Sequence, residues 1–579
     1  MRHLLTFFCL LLALPVLGVL GAWLALDAAA WAVLQHQWST VLPEYIWQSL
    51  LLAGSVGIGV MVLGAALAAA VTLFDFPGRR SFEWLLLLPL AMPAYVLAYA
   101  WTDALQFSGP LQTALRDAFG WRGALWPDVR SAWGAAVLFV LCLYPYVYLL
   151  VRTALAERAV QMMEAARLLG APLRRRVLAV ALPMARPAIA AGTALALMEV
   201  LADYGVGAYF GLATFSTGIY KAFLVMDDRI AAAQLASMLL LVVAVLLAAE
   251  RAAQKKLRFA SRRPGNQQAS DAQPTRLHGR AAVLAWLLCA LPVLLGFVLP
   301  VLWLARMLWE EASTSDFGLP MDRFLEWAWA SLRLSGTAAL AATLLALALS
   351  FSLRNRGPGP SMLQPAARLV GLGYAVPGAV IAVGVLLPVG WLQAQFPQAG
   401  VAALATGTVF GLMYAYLVRF SAVALQSVEA GYARVPVSID ETARMLGGGA
   451  VRVFFRLHLP LLQRSALAAA LLVFVDVMKE LPATLLLRPF GSDTLAVVAY
   501  NFARDERLAE AALPSLAIVA VGLLPVVLLS RALRSANLAS SSASPSASSS
   551  VSPPASPSAS LISQPDKFND LQPVQPQDR

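Results

Sequence analysis

Glu164-Ala-Ala-Arg-Leu-Leu-Gly170 and Glu441-Thr-Ala-Arg-Met-Leu-Gly447 are one segment written twice, 277 residues apart. The same offset carries Pro183, in Ala-Leu-Pro, onto Pro460, in His-Leu-Pro, and it carries Glu199 onto Asp476 and Asp203 onto Glu480. Nearer the start of each copy the offset drifts: Ser49 with Gly54 resembles Ser331 with Gly336, and Tyr144 with Tyr146 resembles Tyr414 with Tyr416. Self-similarity at one long period marks a duplicated structural unit. The chain therefore reads as two copies of a single unit.

The background is apolar. Of 579 residues 60% are hydrophobic and 13% charged, with a mean hydropathy of +0.71, which excludes a soluble globular protein. A helix needs roughly 20 apolar residues to cross a hydrocarbon core about 30 Å thick. Twelve such runs are expected, near 5–26, 48–74, 82–106, 132–151, 187–212, 233–250, 281–308, 329–353, 367–390, 399–418, 465–487 and 511–530. Six fall in each copy, so the second copy enters the membrane in the same direction as the first. Parallel repeats are related by an axis along the membrane normal, which places a shared path between them. The fold expected is an all-α polytopic membrane protein of about twelve transmembrane helices in two parallel six-helix repeats. The first half is expected at 1–250 and the second at 281–535. A polar linker at 251–280 and a Ser/Ala/Pro-rich tail at 536–579 are too poor in apolar residues to order themselves.

The net charge of +11 reflects topology and no nucleic-acid surface, because the cations sit in short loops between apolar runs. With the N-terminus inside, 31 of the 43 Lys and Arg fall in inside segments and nine in outside loops, so both termini are expected in the cytoplasm. The first run exceeds the usual signal-peptide core and is expected to be a retained span rather than a cleaved leader. Cys9, Cys142 and Cys289 have no CxxC spacing. The four histidines are scattered and none begins HExxH, so no metal site is expected.

Both repeated segments lie in long inside loops. In the first, Ala165, Leu168 and Leu169 recur at i, i+3 and i+4 and give a short helix an apolar stripe. Gly170 permits the left-handed turn that ends a helix, and Pro172 prevents its continuation. An elbow results, whose second helix leads through Pro183 into the next span. Taken alone, one copy is an interfacial connector. Two copies on one membrane face suit a symmetric cytoplasmic partner that grips both halves.

The motif of Glu-Ala-Ala, then Gly, then Leu-Pro resembles the cytoplasmic signature of ABC-importer permeases. The resemblance implies that Glu164, Ala165, Ala166, Gly170 and Pro183, with Glu441, Thr442, Ala443, Gly447 and Pro460, couple the chain to an ATPase. Thr442 replaces the first Ala of the pair in the second copy. It further implies a cytoplasmic ABC ATPase dimer that binds ATP and Mg, no cofactor in this chain, an external periplasmic solute-binding protein, and a place in the bacterial inner membrane. Two longer stretches, Met198-Glu-Val-Leu-Ala-Asp-Tyr-Gly-Val-Gly-Ala-Tyr-Phe-Gly211 with Thr214-Phe-Ser-Thr-Gly-Ile-Tyr220, and Val477-Met-Lys-Glu-Leu-Pro-Ala-Thr-Leu-Leu-Leu-Arg-Pro-Phe490 with Asp493-Thr-Leu495, are similar to ferric-iron permeases with two fused six-span halves. Ferric iron is the solute this implies. Thiamine, sulfate and phosphonate permeases share much of the architecture and stay as alternatives.

Glu199 and Asp203 lie four apart on the expected fifth span, and Asp476, Lys479 and Glu480 at i, i+3 and i+4 on the eleventh, so each set is expected on one helix face. A charge at mid-bilayer costs about 2.5–3.5 kcal/mol on insertion scales, so these groups should face the bundle interior. Lys479 can neutralise Asp476 or Glu480. Two readings stand: structural ion pairs, which is preferred, and direct lining of the solute path. No lysine follows a glycine, so no GxxxxGK[ST] phosphate loop exists and ATP hydrolysis is assigned to a separate chain. An ion-coupled secondary transporter using these carboxylates is the alternative class. A membrane enzyme is the third, and no catalytic set supports it.

Overall fold

In the computed structural model, residues 2–21, 23, 28–156, 160–261, 275–314, 319–355 and 362–542 are described. The chain is all-α apart from a two-residue parallel pairing of Phe74–Asp75 with Thr275–Arg276. Among the described residues eleven helices are long and apolar enough to span a membrane, and a bent pair, Arg79–Ala91 with Ala94–Phe119, makes a twelfth when taken as one span.

That pair corrects the continuous run expected near 82–106. Its two arms meet at 89°. The cause is Pro93, which lacks an N–H and forces Met92 into an extended conformation (φ −96°, ψ 112°) after a 3₁₀ turn at Leu88–Ala91. The second half repeats the device: a 3₁₀ turn at Gly373–Ala375, an extended Val376 (φ −79°, ψ 125°), then Pro377 capping Gly378–Gln395. The run expected near 367–390 is broken for the same reason.

Each half packs around three helices. Leu42–Leu73, Ala132–Ala154 and Leu173–Ala202 touch one another in the first, and Met321–Arg354, Val409–Tyr432 and Ala450–Met478 in the second. Close approach needs small residues. A Cβ on Gly64 would stand 2.7 Å from the Val147 Cβ, and one on Gly192 2.7 Å from the Val147 Cα.

The first helix of each half packs on the opposite half. Arg2–Gly21 lies on Leu363–Val370 and Gly378–Gln395. Arg280–Thr314 lies against the first half, where Trp101 Nε1 donates to Leu295 O (3.0 Å) and Trp303 Nε1 donates to Asp103 Oδ2 (2.9 Å). Because of this exchange, residues 1–532 form one compact unit, although the repeat boundary is plain in the sequence. Residues 533–579 form a second unit; its described part is the end of the helix Leu508–Ser542, and residues 543–579 of the expected tail lie outside the described residues. Tail residues 536–542 are thus helical.

The linker is also more ordered than its composition suggests. Helix Arg229–Ser261 runs through its first eleven residues, since Ala, Gln, Lys and Leu extend a helix already nucleated. Thr275–Arg276 then pairs with the first half. Linker residues 262–274 lie outside the described residues.

Candidate functional site

The repeated segments form two elbows that superimpose in sequence. The helices are Val160–Leu168 and Val437–Met445, followed by single turns at Leu173–Arg176 and Ala450–Val453, then π-helical turns at Val177–Ala181 and Phe454–His458. Every boundary differs by the offset of the repeat. Pro183 and Pro460 follow in the first turn of Leu182–Ala202 and Leu459–Met478, where a missing N–H costs little. Gly170 (φ +79°) and Gly447 (φ +75°) both take the left-handed conformation. The amide three residues past each helix closes back on it: Ala171 N donates to Ala166 O and Gly448 N to Ala443 O, both at 3.0 Å. Ala166 and Ala443 therefore accept the capping bond with their carbonyls.

The stripe the elbows were expected to carry is open. Leu168 and Leu169 are 84% and 87% exposed, and Met445 and Leu446 90% and 83%. Ala165, Glu441 and Thr442 are also exposed, and Glu164 lies on the first elbow helix. Among the described residues nothing covers either apolar tip.

The charged residues lie elsewhere, at the ends of the spans that the elbows feed. Here the helix-face expectation is corrected: the helices stop at Ala202 and Met478, one and two residues short of Asp203 and Glu480. Asp203 is extended (φ −71°, ψ 131°), and its Oδ1 accepts from Val206 N (2.8 Å). Glu480 Oε1 accepts from Ala483 N (3.0 Å). Each carboxylate thus caps a following short helix, Gly205–Tyr209 or Pro482–Leu487, and the two breaks are the same structure repeated. They meet at Gly205, where an added Cβ would stand 3.1 Å from Leu481 Cδ2 and 2.9 Å from Tyr95 Cβ.

The breaks bring the two charge sets into one cavity of about 120 Å³ between the halves, lined by Glu199, Asp203, Asp476, Lys479 and Glu480. Of the two partners open to Lys479, the structure pairs it with Asp476 and gives Glu480 another cation. Lys479 Nζ pairs with Asp476 Oδ1 (2.9 Å), but Glu480 belongs to Arg419, whose Nη1 lies 2.8 Å from Glu480 Oε2 in a fully buried pair. The apolar run expected near 399–418 stops one residue short of Arg419. Helix Val409–Tyr432 instead carries it to mid-span. The signal was present: Phe420 to Leu425 continues the apolar run beyond it. Gly378 makes the pair possible, since a Cβ there would stand 2.5 Å from Glu480 Oε1 and 2.8 Å from Arg419 Nη1. Tyr146 and Tyr374 complete the polar lining. Nothing in the sequence singled out Tyr374.

Comparison with known proteins places this geometry. Residues 61–259 match the family model for the binding-protein-dependent transport system inner membrane component. The molybdenum transport system permease protein of Escherichia coli is 30% identical over 175 residues, 28% of this chain and 72% of that one. The chain belongs to this family. This permease is also similar to the Fe(3+)-transport system permease protein 2 of Haemophilus influenzae, at 25% identity over 493 residues, 85% of this chain and 90% of the relative. The sulfate transport system permease protein of Escherichia coli is 28% identical over 247 residues, 41% of this chain and 84% of the relative. The permease is a multi-pass membrane transport subunit and not an enzyme. Its matched segment includes the first elbow and the Asp203 break. Among the described residues no group of three or more His, Cys, Asp or Glu is arranged to hold a metal. Cys9, Cys142 and Cys289 are buried free thiols.

Proposed function

We propose that this permease imports ferric iron, delivered by an external binding protein, by alternating access driven from a separate ATPase dimer. One observation carries the choice of a cation. The cavity between the halves is lined by four carboxylates and two cations, and both cations are already paired with carboxylates of the same half. Of the other two carboxylates, Asp203 is held by the Val206 amide, and Glu199 is left without a cation, so the unneutralised charge is negative. An oxyanion would be repelled there, whereas a cation gains. Similarity along 85% of the chain to an Fe(3+)-transport permease supports the same reading.

In this reading the elbows lie in the cytoplasm, with both termini. Leu168, Leu169, Met445 and Leu446 enter grooves on two ATPase subunits that bind ATP and Mg. Glu164, Ala165, Ala166, Glu441, Thr442 and Ala443 form the helices that present them, Gly170 and Gly447 close those helices, and Pro183 and Pro460 join them to the spans. Each span ends in a break that lines the cavity, so movement of an elbow along its helix axis reaches Asp203 or Glu480 directly. One chain supplies both elbows and serves two ATPase subunits.

The test is uptake into proteoliposomes holding the permease and its ATPase, with the external binding protein added. ATP-dependent accumulation of radioactive ferric iron, and none of sulfate or molybdate, is expected. Accumulation of an oxyanion, or iron uptake that persists without the ATPase, would overturn the assignment.

A further inference from the structure

The two cations of the cavity are not alike. Arg419 is buried on a rigid mid-span helix and clamped to Glu480. Lys479 is the residue that caps Leu459–Met478, its side chain is 34% exposed to the cavity, and its contact with Asp476 is a single one at 2.9 Å. Its next electrostatic neighbours are Tyr146 and Glu199. Glu199 has no hydrogen-bond or ion-pair partner of its own among the described residues. By the offset of the repeat Lys479 answers Ala202, so the first half brings no counterpart. An ammonium on a four-carbon stem therefore lines the same cavity as the matched carboxylates Glu199 and Asp476, one from each half.

On the reading that the cargo is a cation, we propose that Lys479 is a tethered stand-in for it. With the cavity empty, the ammonium holds Asp476 and screens Glu199, so the two like charges can share a low-dielectric space. An entering cation of higher charge takes Asp476 and Glu199 and displaces the ammonium on its four-carbon stem. The displaced charge then repels the cargo, which keeps the site weak and allows release on the far side. A conducting site has to bind loosely enough to let go. Arg419 is the poorer candidate, because its side chain is buried at mid-helix against Glu480, whereas that of Lys479 is 34% exposed.

The experiment uses the assembled permease–ATPase complex, nucleotide-free, with Tb³⁺ as a luminescent trivalent probe. Lys479→Gln is expected to bind Tb³⁺ at least tenfold more tightly than the native complex and to import ferric iron more slowly. Lys479→Arg keeps the charge and should restore weak binding. Glu199→Gln added to Lys479→Gln should cancel the gain. Should Lys479→Gln fail to assemble, Lys479→Met, of similar length and without charge, decides by the same gain in Tb³⁺ affinity. Unchanged Tb³⁺ affinity in Lys479→Gln, or in Lys479→Met where the former does not assemble, overturns the proposal. Failure of the cation reading looks different, since the native complex would then import an oxyanion and no iron.

Discussion

The two elbows present the same surface on different foundations. Beneath the first lie Met163 and Ala181, both buried and apolar. At the matching positions of the second stand Asp440 and His458. Asp440 Oδ2 accepts from Arg354 Nε (2.5 Å), its Oδ1 lies 2.6 Å from His458 Nε2, and the Tyr432 hydroxyl lies 3.0 Å from His458 Nδ1. Arg354 also donates to the carbonyls of Tyr432, Val435 and Pro436. After duplication the exposed tips, the left-handed glycines and the π-helical turns stayed alike while the supports diverged. The exposed tip is kept in both copies; what lies beneath has only to be filled and satisfied. The cavity shows the same divergence, for both of its cations come from the second half.

The comparison can be broken most directly at Asp440. Asp440→Ala leaves the buried His458 Nε2 without its partner, while Arg354 keeps its three carbonyls, and should cost about 1–3 kcal/mol, read as a lower unfolding temperature of the purified permease. Copying the first half, with Asp440→Met and His458→Ala together, should recover most of that loss because the unpartnered imidazole is removed as well. A double variant as unstable as the single one would show that the second support cannot be exchanged for the first.

Gly378 offers a second test, since Ala94 occupies the equivalent place after Pro93 and already carries a Cβ. Gly378→Ala should cost about 1–3 kcal/mol by overpacking against Arg419 and Glu480. Ala94→Gly should cost less than about 1 kcal/mol. Thermal unfolding of the two variants compares them, and equal shifts would argue against a special demand at Gly378.

The elbow turns should behave alike. Gly170→Val and Gly447→Val each force a side chain into the left-handed region at about 1–2 kcal/mol, with no neighbour within 4 Å to add a clash. Each variant should retain a folded permease and lose co-purified ATPase, and the double variant should lose nearly all of it. Full retention of the ATPase in the double variant would remove the elbows from the coupling role.

The smallest effects come from the breaks. Ser49 Oγ accepts from Phe215 N (3.1 Å) and Ser331 Oγ from Leu495 N (2.8 Å), while Thr214 and Thr494 cap the same helices. Ser49→Ala and Ser331→Ala should each cost about 1 kcal/mol in the same unfolding measurement. Unequal costs would mean that the breaks, like the elbow supports, have diverged.

Local pattern and duplication were enough to reveal the twelve-run membrane fold, the elbow turns at Gly170 and Gly447, and the matched carboxylates. Each depends on residues close in sequence: apolar periodicity, a glycine where φ must be positive, a proline where a helix cannot continue. Pro93 and Pro377 carried the signal for the breaks they cause, but an apolar run reads as continuous when only its length is counted. Only the folded chain decided the rest. Arg419 pairs with a carboxylate 61 positions away, Tyr374 joins the cavity across the repeat, and the opening helices cross to the opposite halves. These depend on which surfaces meet in space, and a buried charge chooses its partner by distance and desolvation, which no stretch of neighbouring residues records.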